Sequence, residues 1–126
     1  IGSTGTASCG TITINNAEVH AFGFSGPTAS TAGIGCGYDA IGSPGTNLPV
    51  VTIVDSDIYA HRGSNGNPAD YIGWPGHHTF PTATPEAASA INPGAGGSIK
   101  SSTVYCYTGD TLDKTVVYDG SGVGKE

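Results

Sequence analysis

Apolar and polar positions alternate in short runs along this chain, and glycine, proline, asparagine and aspartate separate the runs. In residues 9–14, CGTITI, Ile12 and Ile14 fall on one side and Thr11 and Thr13 on the other, the period of a half-buried strand. Residues 19–24, VHAFGF, resume the alternation after Asn15-Asn16, a pair that tolerates left-handed backbone. Residues 9–24 are therefore predicted to form a hairpin, with His20, Phe22 and Phe24 on one face of its second strand. The longest apolar run, Leu48 to Val54, is mostly β-branched and reads as the core strand, buried on both faces. Residues 99–107 and 115–118 close the pattern as strands joined by a hairpin through 109–114. In the first of them Val104 and Cys106 face opposite Tyr105 and Tyr107. Only one helix start is written in the chain: Thr84 as N-cap, Pro85 at the first helical position and Glu86 in the first turn, ahead of AASAI. Asn92-Pro93-Gly94 ends it, which places one short helix near 84–91.

Composition sharpens this into a fold class. Isoleucine and valine far outnumber leucine, methionine is absent, and 21 glycines and 8 prolines are scattered without period. That is an alphabet of strands and turns. The expected fold is all-β, a mainly antiparallel sandwich or barrel with one short helix. At 126 residues it forms a single domain, with 1–7 and 120–126 as flexible ends. Residues 25–46 read as loop, and the sequence shows no repeat of fixed period, no heptad and no dividing linker.

Charge narrows the partners. A formal net charge of −6 with four lysine and arginine residues in total leaves no basic patch, which argues against nucleic acid and anionic membranes. No apolar stretch approaches the roughly 20 residues of a membrane-spanning helix. Cys9, Cys36 and Cys106 make an odd count, so one disulfide is expected among them. The third thiol stays free or joins a second copy in a homodimer. Scarce lysine, abundant serine, threonine and glycine, and a first residue other than methionine fit a secreted protein.

Candidate chemistry gathers in two stretches. Asp55 and Asp57, two apart on an extended backbone, point the same way and offer a weak divalent-cation site; no other cofactor is expected. His61 and Arg62, the only arginine, combine a proton carrier with a cation that stabilises developing negative charge. With His77 or His78 they would equip a small metal-independent hydrolase, most plausibly a ribonuclease. In size, acidity and Tyr/Gly/Ser bias the chain resembles the small acidic fungal guanyl-specific ribonucleases, but its helix comes late and no histidine follows His78, so the resemblance covers no motif. His77-His78 lacks the spacing of a zinc site. Residues 70–80, DYIGWPGHHTF, bring Tyr71 and the single Trp74 together with Asp70 and His77, next to Asn65. This is an aromatic platform ringed by polar groups, suited to stacking on a sugar or holding a partner's side chain. In composition the chain resembles small secreted microbial proteins, fungal effectors and elicitors among them, which implies recognition rather than turnover. The leading expectation is a secreted binding module for carbohydrate or protein; the alternatives are the hydrolase and a disulfide-linked structural subunit.

Overall fold

The computed structural model describes residues 1–3, 10–26, 30–36, 49–64, 69–73 and 91–126. They form eleven strands: β1 (Gly2–Ser3), β2 (Thr11–Asn15), β3 (Glu18–Phe22), β4 (Ile34–Cys36), β5 (Val50–Val54), β6 (Asp57–Arg62), β7 (Ile72–Gly73), β8 (Ser98–Lys100), β9 (Ser102–Thr108), β10 (Thr111–Tyr118) and β11 (Gly124–Lys125). The strands fall into three sheets. Sheet I has the order β1-β4-β7, sheet II β2-β5-β8, and sheet III β11-β10-β9-β6-β3. The chain visits I, II and III in turn three times, each visit laying a strand parallel to the one before. That is the winding of a three-sided parallel β-helix.

The β class therefore holds and the predicted pairing does not. Among the described ladders six are parallel, and only β9–β10 and β10–β11 are antiparallel. The hairpin expected over 9–24 is instead a corner: β2 pairs with β5 and β3 with β6, one coil further on. Alternation cannot separate the two cases, because a half-buried strand reads the same whether its partner is adjacent or a coil away. Residues 99–107 likewise break at a corner, Ser101, between β8 and β9. The helix expected near 84–91 lies outside the described residues except for Ile91, which forms a parallel bridge with Ile72. The hairpin of β9 and β10 is as expected. The final residues are paired rather than frayed. β11 lies against β10, and the Asp119 carboxylate accepts from the Ser121 and Val123 backbone amides at 2.8 and 3.0 Å.

Three corners between sheets II and III carry the same backbone. Asn16, Asp55 and Ser101 have φ of 51°, 50° and 47°, the left-handed region that a short polar side chain tolerates best. Each corner donates its amide proton onward: Asn16 N to the Val54 carbonyl (3.0 Å), Asp55 N to Lys100 (3.2 Å) and Ser101 N to Asp119 (2.9 Å). Just inside each corner stand Ala17, Ser56 and Ser102. Ser56 Oγ accepts from Ala17 N at 3.1 Å and donates to Val54 O at 2.7 Å. Ser102 Oγ accepts from Ser56 N at 3.0 Å and donates to Lys100 O at 2.7 Å. These bonds join residues 39 and then 46 positions apart. The chain does repeat, at an interval that changes between coils.

The interior is a set of aliphatic columns in register: Ile14–Ile53–Ile99, Val19–Ile58–Val104, Ala21–Ala60–Cys106 and Ile34–Ile72. Burying each large member is worth about 1.5–3 kcal/mol, which makes these columns the main source of stability. β5 alternates buried and half-buried positions, so Val51 and Ile53 face the core while Val50, Thr52 and Val54 do not; the core strand is not buried on both faces. In sheet I, Gly2, Gly35 and Gly73 form a column. A Cβ on Gly35, whose φ is 146°, would lie 2.1 Å from the Gly73 carbonyl oxygen, so the close approach of these backbones requires glycine.

Candidate binding face

Sheet III positions the side chains that stand out. Along β3, β6 and β9 the inward residues are small or aliphatic except for Arg62 at the end of β6, and the outward residues share one face in register. Two ring columns result. His20, Tyr59 and Tyr105 stack with centroids 4.2 and 4.5 Å apart and planes within 4° and 11°. Phe22, His61 and Tyr107 stack at 4.3 and 4.2 Å, within 24° and 12°. Ring pairs of this kind contribute about 0.5–1.5 kcal/mol each beyond area burial. Because the rings lie face to face, each presents its edge to solvent, and the edges carry three tyrosine hydroxyls and the imidazole nitrogens. Only the ends of each column have an uncovered ring face, and Phe22, at the β3 end, is 66% exposed.

Hydrogen bonds fix how the imidazoles are presented. His61 Nδ1 lies 2.8 Å from the Gly109 carbonyl, so it is the donor there, and a neutral ring keeps Nε2 as an acceptor at the outer edge. His20 Nε2 donates to Glu18 Oε1 at 2.8 Å. Partial desolvation in the stack raises the Tyr59 hydroxyl above its ordinary value, with Tyr105, Glu18 and Asp57 adding to the shift. The carboxylates of Glu18 and Asp57 lie opposite each other in the ladder on this face, and the same row continues through Thr103 and Val117 to Lys125. Phe24 and Leu112 extend the apolar area, and both are exposed.

Strand alternation separates the pair that sequence had joined. His61 is on the outer face, whereas Arg62 turns inward with Ile58 and Ala60, so the two do not address one substrate atom. Arg62 Nε donates to Thr108 Oγ1 at 2.7 Å and Nη1 to the Ala69 carbonyl at 3.0 Å, with its guanidinium 4.4 Å from the Tyr71 ring centroid. Tyr71 is not a platform: it is 2% exposed, and its hydroxyl donates to Asp113 Oδ2 at 2.6 Å. Burial first, then this bond, pushes the hydroxyl up to about 12. Burial would raise Asp113, but hydrogen bonds from Thr108 and Tyr71 with the charges of Arg62 and Lys114 bring it below the usual carboxylate value. Asp70 is 3% exposed and likewise unavailable to a ligand. Asn65, Trp74, His77 and His78 lie outside the described residues.

Asp55 and Asp57 border an open groove of about 420 Å³ with Ser101, Thr103, Val117 and Tyr118. Among the described residues no three His, Cys, Asp or Glu side chains group to hold a metal ion. Cys106 is a free thiol inside the core, pushed by burial up to about 12, which removes it from the disulfide set and from linkage to a second copy. A Cys9–Cys36 bond falls on side chains that are not described. Among the described residues no helix is long and apolar enough to cross a membrane.

The ring face escaped the sequence reading, although its signal was present: VHAF, IYAH and VYCY each carry two rings or imidazoles two positions apart. The signal becomes visible only once the three segments are placed in one register. No protein-family model, no curated protein and no solved structure matches this chain.

Proposed function

We infer that the protein is a secreted recognition module that binds an uncharged carbohydrate along the outer face of sheet III. The observation that carries this reading is the pair of ring columns crossing three coils with their edges in solvent. Successive coils are spaced about 4.8 Å apart, so the columns offer a regular series of hydroxyl and imidazole hydrogen-bonding groups to a polymer of hydroxyls. The flanking Phe24 and Leu112 supply apolar contact for a sugar's C–H faces. Charge beside the ring columns supports a neutral ligand: Arg62 turns inward, Glu18 and Asp57 repel an anionic one, and the cation on this face among the described residues, Lys125, lies two strands beyond β9.

The test is calorimetric titration with a panel of neutral and uronic-acid oligosaccharides, comparing Tyr59→Phe and Trp74→Ala with the parent protein. Tyr59→Phe keeps the stack and removes one hydroxyl, worth about 1 kcal/mol or roughly five- to tenfold in affinity. Failure of every neutral glycan to bind, or binding that Trp74→Ala abolishes while Tyr59→Phe leaves it unchanged, would overturn the site.

A further inference from the structure

We propose that the outer edge of β3, which has no neighbouring strand among the described residues, pairs with the β3 edge of a second copy, giving a two-fold dimer in which both ring columns run from one molecule into the other. Ala17 O accepts from Asp57 N and Gly23 N donates to His61 O, so the odd positions 17–23 direct their backbone groups at β6. In a parallel ladder the even positions must then face the other way. Glu18, His20 and Phe22 therefore hold their N–H and C=O groups toward the open edge, where β3 has no described neighbour. An edge of this kind is a pairing template unless it is protected, and residues 18–22 contain no proline, no lysine and no bulge.

The occupant follows from the side chains. A two-fold axis through Ala21 sets His20 opposite Phe22 of the second copy and Phe22 opposite its His20. These two positions turn both backbone groups outward, so each pair exchanges two hydrogen bonds. The ring contact it creates, phenylalanine on imidazole, is already made within the chain by Phe22 on His61 at 4.3 Å. It covers Phe22, the most exposed of the six stacked rings, and it sets Ala21 opposite Ala21 on the core side. No like charges meet. Sheet III accepts an antiparallel strand at its other end, where β10 lies on β9. The interface is isologous and closed, so it ends at two copies.

The test is sedimentation equilibrium of the 126-residue protein under reducing conditions, which removes any dimer linked through cysteine. The parent protein is expected at twice the 12.5 kDa chain mass. Phe22→Lys, on an exposed side chain, should give a monomer with an unchanged far-ultraviolet spectrum. The double variant His20→Glu/Phe22→Lys places a carboxylate opposite each ammonium and should restore the dimer. A parent that stays monomeric at its highest soluble concentration, a dimer indifferent to Phe22→Lys, or a loss the double variant does not rescue would each overturn the proposal. It stands apart from the carbohydrate reading: a monomer that still binds glycan defeats only the dimer.

Discussion

Replacing Ser102 by alanine probes the hydroxyl column that ties one coil to the next. Ser102 is buried, and its Oγ is the acceptor for the buried Ser56 amide at 3.0 Å as well as a donor to the Lys100 carbonyl. Lys100 O keeps a second donor, Asp55 N at 3.2 Å, so the carbonyl remains paired in the variant. The Ser56 N–H does not. An unmet buried donor costs about 1–3 kcal/mol, against a folding free energy of roughly 6–19 kcal/mol for a chain of this length. Sterics add nothing, because the first coil carries Ala17 at the equivalent position. With a urea dependence near 2 kcal/mol per molar, a loss of about 2 kcal/mol lowers the unfolding midpoint by about 1 M at unchanged slope. A shift below about 0.25 M, the range of an ordinary surface change, would show that the serine column is not a structural tie.

Two further outcomes follow from the same structure. Gly35→Ala should cost at least about 1–3 kcal/mol from its backbone conformation alone, and more from the contact with Gly73 O; a thermal melt matching the parent would refute the glycine column. Tyr71 should be the last tyrosine to ionise in an ultraviolet titration, near 12, and Tyr71→Phe should remove that step. Its folded value lies above the unfolded one, so the stability it contributes is whole below pH 10 and is lost as pH rises toward 12. A parent whose stability is flat across that window would contradict the burial of this hydroxyl.

Much of the local structure was legible in the sequence. The faces of β9 and the β9–β10 hairpin follow from period-two alternation, which depends only on which side of a strand is dry; β5 was legible as a strand from its β-branched run, but not as one with a single buried face. Partner choice was not legible, because it depends on contacts 39 and 46 residues apart. The left-handed residue at Asn16 bends the chain into a corner and would equally serve a hairpin turn, so Asn15-Asn16 could not decide between them. The candidate site was missed for the same reason. Tyr71 and Arg62 looked exposed in a polar context, yet they pack on each other, while His20, Tyr59 and Tyr105, separated along the sequence, stand in one column.

The three matching corners, set against connections of different length, divide the chain into places where residues can and cannot be added. One residue inserted between Val54 and Asp57 would reverse β6, sending Ile58 and Ala60 into water and driving Tyr59 and His61 into the core. One residue inserted between β7 and β8 meets no such parity rule, since the second and third coils already differ there without disturbing the ladders that follow. The connections from sheet III to sheet I differ in length as well, 11 residues between β3 and β4 against 9 between β6 and β7. Residues can therefore be added away from the corner between sheets II and III while the pattern of rings is preserved.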